Sequence, residues 1–355
     1  MRPGRCGSKT EERHRGMTTN TESAVVWVSR ASLSEILANL DVHADLARVD
    51  AFMQSLVMSP VMNISQPARH VIAAGGKRLR AALVLLAARL NAYDAARAIA
   101  VASAVELIHA ASLVHDDLID QSPRRRGLET VHSKWFRDAA LVGGDYLFAL
   151  AAESIARSGD LRVLECLGRA SVKICEGEIS LVRDVTPFEE ALDAYWAKIA
   201  GKTAVLFEEG LKAAGIVSQA SEAQVAALGR YGHCLGMVFQ ITDDILDYVG
   251  DPAVLGKPVG GDLMRRQITL PLIYAANDGM PTALRQTIAR IDDGATPDDI
   301  QALLAWVQAS TAIQEARTAA SRFCEQGCQA LSELPASETR TALATILWAV
   351  LDRDR

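Results

Sequence analysis

The sequence predicts an all-α protein, built as one large antiparallel bundle of helices around a central cavity. Apolar residues recur at helical spacing along nearly the whole chain after the first thirty or so residues, and alternating runs typical of strands are scarce. Half of the 355 residues are hydrophobic, so the chain is able to bury a large core. No stretch in the middle resembles a linker, and no repeat of solenoid period is found.

The predicted helices are separated by residues that break helices. The breakers are Pro123, Gly159, Pro187, Gly215, Pro252, Pro258, Pro281 and Pro335. The helices are expected at residues 32–56, 67–91, 94–120, 138–158, 160–182, 188–214, 221–249, 267–278, 283–292, 297–332 and 336–352. Residues 1–30 are polar and mixed in charge, so they are expected to form a disordered tail that precedes a single domain at 31–355.

Charge and cysteine usage narrow the functional class. A net charge of −6 argues against a nucleic-acid surface, so the local basic clusters are expected to bind small anions. The six cysteines have no framework spacing and read as reduced thiols of a cytoplasmic protein. No secretory signal is recognised. Four arginines among residues 1–15 leave a transit peptide open, although Glu11 and Glu12 count against it.

The most apolar stretch runs from about Ala95 to Val114. Arg97, Glu106 and His109 interrupt it. The stretch therefore predicts a buried helix of the bundle and no transmembrane segment.

Two copies of one acidic pattern, DDxxD, are the strongest chemical signal. They are Asp116–Asp120 and Asp243–Asp247, and each ends an apolar run of helical period. The first and last Asp of a copy are four residues apart and are expected to share a helix face. Such carboxylates would repel each other without cations, and hard ions such as Mg²⁺ would relieve the repulsion and bring phosphate oxygens with them. The pattern thus indicates a metal site with a diphosphate guest.

Acidic pairs also cap helices or lie on solvated faces, so an ordinary charged face is the alternative for both motifs. Asp292–Asp293 and Asp298–Asp299 are of that kind, because they lie beside Gly294 or after Pro297, and they are expected to be cap and loop residues.

Basic residues form two clusters that suit anions. The first, Gly75–Arg80, is expected to open or kink a helix; it lacks P-loop spacing and follows no predicted strand, so a charged helix start is its alternative. The second, Arg124–Arg126, follows the first acidic motif, and its guanidinium groups suit phosphate oxygens. Lys202 and Lys257 add two more cations.

Taken together, these residues resemble the trans-isoprenyl diphosphate synthases, all-α prenyltransferases that extend an allylic diphosphate with isopentenyl diphosphate. The resemblance runs from about residue 65 onward and implies the isoprenoid synthase bundle. It rests on the following segments, in this order: GGKRLR at 75–80, IHAASLVHDDLID at 108–120, RRG at 125–127, GGDYLF at 143–148, GKTAVL at 201–206, FQITDDILD at 239–247, GKPVGGD at 256–262 and TLP at 269–271.

The resemblance implies a role for each matching position. Asp116, Asp120 and Asp243 would ligate a cluster of three Mg²⁺ ions on the allylic diphosphate, with Asp117, Asp244 and Asp247 as direct or indirect partners. Arg125, Lys202 and Lys257 would contact the same diphosphate. The isopentenyl diphosphate would be held by Lys77, Arg80, His109 and Arg126. Thr203 and Gln240 would lie near the allylic cation, and on local sequence alone His109 would be a core histidine.

Three positions depart from the family pattern. Ala81 replaces a usual Pro, Leu181 a usual Gln and Gln267 a usual Lys. The first departure concerns the backbone, whereas the other two thin the polar lining near the allylic diphosphate. Arg265 and Arg266 lie near enough in sequence to replace the missing Lys.

Small residues before the first acidic motif indicate a long product. The candidates for the floor of an apolar tunnel are Ser112, Ala111, Ile108 and Ala104. In the family, a bulky aromatic near Ala111 or Ser112 stops growth early, so we expect an all-trans product of twenty carbons or more, in the range of the long polyprenyl chains.

Four alternatives remain beside this prediction. Three concern the function: a short-chain farnesyl or geranylgeranyl diphosphate synthase, a class I terpene cyclase, and a non-catalytic subunit of a heteromeric synthase. The fourth places the true tunnel floor on another helix. The second acidic motif and the Lys77, Arg80 and Arg126 group count against the cyclase. A homodimer is implied by the family alone.

Overall fold

The protein is described here by a computed structural model, which covers residues 33–38, 41–180, 182, 184–251, 259–289 and 296–353. The expected tail at 1–30, Lys257 and Leu181 lie outside the described residues.

The described part of the chain is almost entirely helical, which confirms the all-α prediction. Its helices are α1 (Leu33–Ala38), α2 (His43–Leu56), α3 (Met62–Ala73), α4 (Leu79–Ala88), α5 (Ala95–Ile119), α6 (Val131–Lys134), α7 (Arg137–Arg157), α8 (Leu161–Ile179), α9 (Phe188–Ile199), α10 (Val205–Val217), α11 (Glu222–Val249), α12 (Gly261–Met264), α13 (Leu270–Asn277), α14 (Thr282–Ala289), α15 (Pro297–Ala309), α16 (Ala312–Ser332) and α17 (Glu338–Leu351). A π-helical turn, Ala200–Ala204, joins α9 to α10. A small hairpin pairs β1 (Arg124–Arg125) with β2 (Leu128–Glu129) in antiparallel register.

Helix α5 runs through the centre of the bundle. It packs against α7, α4, α2 and α10. Helix α11 packs against α10 and α16. By length and composition alone, α5 and α7 would be able to cross a membrane. Inside the fold, 72% and 50% of their apolar windows are buried, so both are core helices, as the interruptions in the Ala95–Val114 stretch predicted for α5.

Local capping explains where several helices begin. The Asp94 carboxylate accepts the N–H groups of Ala96 and Arg97 at the start of α5. Thr296 and Asp299 form a reciprocal capping box at the start of α15, which confirms the prediction of a cap for Asp299. Asp292 and Asp293 lie outside the described residues.

Three predicted helices are interrupted, and these predictions were wrong in that respect. The helix expected at 67–91 breaks over residues 74–78, the one at 297–332 breaks at Ser310–Thr311, and the one at 32–56 breaks before His43. The helix expected at 188–214 contains the π-helical turn. Such breaks do not alter the apolar periodicity on either side, so periodicity alone could not locate them.

Candidate active site

A cavity of about 620 Å³ opens between α4, α5, α8, α11 and the π-helical turn. It gathers predicted site residues from distant parts of the chain. Those that line it are Lys77, Arg80, His109, Ser112, Asp116, Arg125, Arg126, Lys202, Thr203, Gln240 and Asp243. Glu106 and Arg353, two charged residues to which the sequence assigned no role at the site, also line it.

Hydrogen bonds from Arg78 hold the Gly75–Arg80 segment in place. Arg78 itself was not among the predicted site residues. Gly75, Gly76 and Arg78 all have positive φ angles, so the loop breaks the helix between α3 and α4. The Arg78 guanidinium donates to an Asp50 carboxylate oxygen at 2.9 Å and to the Ile72 carbonyl at 2.9 Å. These bonds hold the loop so that Lys77 and Arg80 face the cavity.

Gly76 also makes room for the second basic cluster. A Cβ atom at this position would lie 2.7 Å from Nη1 of Arg126, closer than side chains approach. The absence of a side chain therefore lets the Arg126 guanidinium approach the loop, which brings the two predicted basic clusters together.

The Ala81 departure has a structural counterpart in Glu106. The Ala81 N–H, which a proline would lack, donates to Oε1 of the buried Glu106 at 3.0 Å. The other oxygen of Glu106 accepts from Arg78 at 3.4 Å. Glu106 thereby caps the first turn of α4 and ties the basic loop to α5.

Arg80 and His109 are two of the basic residues that line the cavity. The Arg80 guanidinium lies over the ring of Phe207, 4.4 Å from its centroid, and its Nε has no hydrogen-bond partner among the described residues. Burial lowers the pKa of Arg80 to about 10, so the group stays charged at neutral pH. Burial, reinforced by Arg80 and Arg126, lowers the pKa of His109 well below its usual value. In the ligand-free protein the imidazole is therefore neutral at pH 7.

In the first acidic motif Asp116 faces the cavity, whereas Asp117 does not. Asp116 lines the cavity, with a carboxylate oxygen 3.5 Å from Nζ of Lys202. Burial raises the pKa of Asp116 to about 7, an effect that Lys202 opposes and Glu178 reinforces. Asp117 is turned aside, because Nε of Arg125 donates to both of its oxygens at 2.8 and 2.9 Å.

The second motif divides in the same way. Asp243 lines the cavity. Asp244 is buried and accepts hydrogen bonds from the Tyr195 hydroxyl at 2.6 Å and from Nε2 of Gln240 at 2.8 Å. Asp247 is also buried, and its Oδ2 accepts the Asp262 N–H at 2.8 Å. Asp243 and Asp247 are four residues apart on α11 and therefore lie on the same face of that helix, but Asp247 is covered by residues 260–262 and does not line the cavity.

Asp120 lies just past the end of α5, where Arg265 approaches it. Nε of Arg265 is 3.9 Å from an Asp120 oxygen, and its Nη2 is 2.9 Å from an Asp262 oxygen. Arg265 thus extends from the segment after the second motif towards the first motif. It lies two residues before Gln267, which stands where the family usually has a lysine.

The π-helical turn carries Lys202 and Thr203 between two glycines. A Cβ at Gly177 of α8 would lie 2.4 Å from the Lys202 backbone nitrogen, and a Cβ at Gly236 of α11 would lie 2.4 Å from Cα of Ala204. Only glycine at both positions allows this close approach. Turns of this kind are frequent at functional sites, and here the turn brings Lys202 into ion pairs with Asp116 and Glu178.

The four residues proposed from the sequence as a tunnel floor do not share one environment. Ser112 is partly buried and lines the cavity, with its hydroxyl donating to the His109 carbonyl at 2.9 Å. Ala111, Ile108 and Ala104 are buried in the core around α5.

Sequence reasoning missed Glu106, Glu178, Tyr195 and Arg353. A charged or hydroxyl residue inside an apolar helical pattern is the signal for Glu106 and Tyr195, yet it does not reveal the partner. Glu178 lies three residues before the departing Leu181, and its local sequence does not indicate its contact with Lys202. Arg353 follows the last helix, and nothing local indicates which cavity it reaches.

Comparison with known proteins gives a consistent answer. Residues 61–307 match the family described as polyprenyl synthetase. The chain is 37% identical over 310 residues to heptaprenyl diphosphate synthase component 2 of Geobacillus stearothermophilus, covering 87% of this chain and 96% of that protein. It is 33% identical over 310 residues to octaprenyl diphosphate synthase of Haemophilus influenzae, covering 87% and 94%.

Solved structures agree in fold. The decaprenyl diphosphate synthase of Rhodobacter capsulatus superposes with a TM-score of 0.83 at 35% identity, covering 91% of this chain and 99% of that one. A polyprenyl synthase of Caulobacter crescentus, solved with calcium and isoprenyl diphosphate, superposes with a TM-score of 0.85 at 33% identity, covering 92% and 100%.

Proposed function

The chain belongs to the polyprenyl synthetase family and is a long-chain trans-polyprenyl diphosphate synthase, and from that premise we propose how its own residues carry out the reaction. Isopentenyl diphosphate and an allylic diphosphate would occupy the two sides of the cavity. The observation that carries this proposal is that one cavity is lined both by the carboxylates Asp116 and Asp243 and by the basic residues Lys77, Arg80 and Arg126. We propose that residues 31–355 act as one catalytic domain.

The family is metal-dependent, and the carboxylates suit a hard cation. Among the described residues, no three His, Cys, Asp or Glu side chains converge on one point. Mg²⁺ commonly keeps its waters and binds through one or two carboxylates together with substrate phosphates, and Asp116 and Asp243 both line the cavity. We therefore propose a cluster of three Mg²⁺ ions, held by Asp116, Asp120 and Asp243 and by the substrate. Bound there, the ions would neutralise charge on the leaving diphosphate.

Asp117, Asp244 and Asp247 are proposed to support the metal site indirectly. Their oxygens bond to Arg125, to Tyr195 and Gln240, and to the Asp262 N–H respectively. Such contacts fix the helix ends and keep these three side chains away from the cavity.

Cations on both sides bind the two diphosphates. We propose that Lys202, Arg125 and Lys257 hold the allylic diphosphate, and that Lys77, Arg80, His109 and Arg126 hold isopentenyl diphosphate. The unpartnered Nε of Arg80 supports the second set, because a buried guanidinium with a free donor is well placed for an anion.

The reaction needs no protein nucleophile. The allylic C–O bond breaks, and its electron pair stays on the diphosphate oxygen. Lys202 and Arg125 stabilise the negative charge that grows there. The alkene of isopentenyl diphosphate then attacks the allylic cation, and a new C–C bond forms. The proton that must leave goes to the released diphosphate, and the product is longer by one isoprene unit. Thr203 and Gln240 stabilise the cation through oxygen lone pairs without trapping it.

Product length is tested directly by assay. The relatives named above make heptaprenyl, octaprenyl and decaprenyl diphosphates, which supports a product in that range. The purified chain should be incubated with labelled isopentenyl diphosphate, Mg²⁺ and either farnesyl diphosphate or a shorter allylic primer, and its products separated by chromatography. We expect chains well beyond twenty carbons. A product that stops at fifteen carbons from a shorter primer would place the protein among the short-chain synthases.

The same assay separates the rival activities. A terpene cyclase would form product from the allylic diphosphate without isopentenyl diphosphate. A non-catalytic subunit would be inactive alone and active after mixing with a partner, a possibility raised by the words "component 2" in the name of one relative.

We propose a homodimer located in the cytoplasm. Support comes from apolar side chains on the outer face of α7, where Leu141 and Val142 are about half exposed, and from Val172 on α8. Light scattering on the purified protein measures the oligomeric state, and a monomeric mass would contradict the dimer.

A further inference from the structure

We propose that Tyr195, a buried residue of α9, is a positioning residue for the cation-stabilising oxygen of Thr203. This inference rests on the proposed function and deepens it. Tyr195 does not line the cavity; it acts through Asp244 and Gln240, which connect it to Thr203 by three hydrogen bonds.

The three bonds form one unbranched chain. The Tyr195 hydroxyl donates to Oδ2 of Asp244 at 2.6 Å, and Nε2 of Gln240 donates to Oδ1 of the same carboxylate at 2.8 Å. The Thr203 hydroxyl donates to Oε1 of Gln240 at 2.7 Å. Tyr195 and Asp244 are buried, whereas Gln240 and Thr203 line the cavity. The chain therefore runs from the core to the reaction space.

The direction of each bond follows from the donors available. A carboxylate offers acceptors, so the amide nitrogen of Gln240, and not its oxygen, must face Asp244. The amide oxygen then faces Thr203, and the single hydroxyl hydrogen of Thr203 must point to it. Reversal of the Gln240 amide would place its oxygen against the carboxylate oxygen and its nitrogen against the threonine hydroxyl.

This direction determines what Thr203 presents to the substrate. Its hydrogen is committed to Gln240, so its oxygen turns lone pairs towards the cavity. A lone pair stabilises the positive charge of the allylic cation, whereas a hydroxyl hydrogen would oppose it. Tyr195 contributes to this arrangement because its hydroxyl binds Oδ2 of Asp244. That hydrogen bond keeps the carboxylate from rotating, so Oδ1 stays in contact with Gln240.

This role gives Asp244 a function that differs from metal ligation. Both of its oxygens are engaged by protein donors at hydrogen-bond distance. A change at Tyr195 should therefore alter the chemical step and leave the Mg²⁺ requirement unchanged.

The test is a double-mutant cycle between Tyr195→Phe and Thr203→Ala in the full-length protein. The first condensation should be followed under single-turnover conditions with Mg²⁺, farnesyl diphosphate and labelled isopentenyl diphosphate, because slow product release would otherwise mask chemistry. We expect Tyr195→Phe to lower the rate by about tenfold when Thr203 is present, as expected for a misplaced group. In the Thr203→Ala background, the same change should lower it by less than about twofold.

Tyr231→Phe is the matched control. Tyr231 is likewise buried, and its hydroxyl donates a hydrogen bond to the Leu343 carbonyl at 2.8 Å, but this acceptor is not one of the residues that connect Tyr195 to Thr203. It should show a similar change in melting temperature and an unchanged rate. If Tyr195→Phe does not fold, Asp244→Asn in the same cycle provides the second test, and the same non-additivity with Thr203→Ala is expected.

The outcomes separate the two proposals. An active wild type with an unchanged Tyr195→Phe rate, or with equal losses in both Thr203 backgrounds, overturns the positioning role. A shift in the Mg²⁺ concentration for half-maximal rate in Tyr195→Phe also overturns it. A wild type that forms no condensation product refutes the proposed function itself.

Discussion

Arg353 and Asp243 form an ion pair in which Nη2 of the arginine lies 2.6 Å from Oδ1 of the carboxylate. The same guanidinium donates to the Phe239 carbonyl at 2.8 Å and lies 4.0 Å from the centroid of the Phe239 ring. Its side chain is only 8% exposed. Arg353, two residues after the end of α17, thus supplies a cation to the second acidic motif, where a metal ion would also have to bind.

Arg353→Gln should lower the Mg²⁺ concentration that gives half-maximal activity, by about three- to tenfold, because it removes a cation that competes for Asp243. It should also raise the KM for isopentenyl diphosphate, since Arg353 lines the same cavity as Arg80. Mg²⁺ titrations at saturating substrate measure the first effect. A higher Mg²⁺ requirement would show that Arg353 organises the metal site.

Arg230→Gln is the control for that experiment. Arg230 pairs with Glu333 at 2.6 Å on the surface, where both side chains are about half exposed. Its removal should leave the Mg²⁺ dependence and the KM values unchanged.

Gly177→Ala should reduce both stability and turnover. The added Cβ would meet the backbone of Gly201 and Lys202, which cannot move without displacing the π-helical turn. We expect a loss of about 1–3 kcal/mol in the free energy of unfolding and a fall in kcat of at least about tenfold, because Lys202 and Thr203 move together. Denaturant unfolding and steady-state kinetics measure these two quantities.

Gly168→Ala, also on α8, is the matched control for Gly177→Ala. A Cβ there meets nothing within 4 Å. It should raise stability by about 0.5–1 kcal/mol through better helix propensity and leave kcat unchanged. Equal losses in the two variants would contradict the packing argument.

Asp116→Asn should stabilise the metal-free protein, increasingly so as pH rises. Burial raises the pKa of Asp116 to about 7, so the folded state holds this proton more tightly than the unfolded state. The contribution that protonated Asp116 makes to the stability of the wild type is therefore present at low pH and is lost as the pH rises from about 4 to about 7. The gain in the variant should reach at most about 4 kcal/mol near pH 8 and should fade towards pH 4.

Thermal unfolding in a chelating buffer from pH 4 to pH 8 tests this expectation. Parallel pH profiles for the wild type and Asp116→Asn would refute it. Mg²⁺ with inorganic diphosphate should stabilise the wild type far more than the variant.

Ser112→Phe should shorten the product, because Ser112 borders the cavity directly. Chromatography of the products shows the shift in chain length. Ala111→Phe should also shorten the product if the tunnel passes the buried side of α5. Since Ala111 is fully buried, that change should cost about 1–3 kcal/mol of stability as well. Unchanged chain length in both variants would mean that the floor lies on another helix.

Helical period in the sequence predicted α5 and α11, each with an apolar run that leads into one acidic motif, so a cavity shared by Asp116 and Asp243 could be predicted. That Arg80 and Lys202 reach the same cavity was implied only by the family resemblance.

What could not be predicted depends on contacts between residues far apart in sequence. Six carboxylates in two identical patterns look equivalent, yet Arg125 turns Asp117 aside and Tyr195 fixes Asp244. Arg353 and Asp243 are 110 residues apart. Local periodicity contains no information about such pairs, because each arises from the packing of whole helices.

The π-helical turn at Ala200–Ala204 places one residue more in its turn than a regular helix would. Deleting a single residue there would restore a continuous α-helix with its hydrogen bonds intact. It would also rotate α9 relative to α10 by about 100°, the angle per residue of an α-helix. Tyr195 would then no longer face Asp244. The turn therefore sets the rotation of α9 relative to α10, so that Tyr195 faces Asp244 while α10 keeps its packing against α4, α5 and α8.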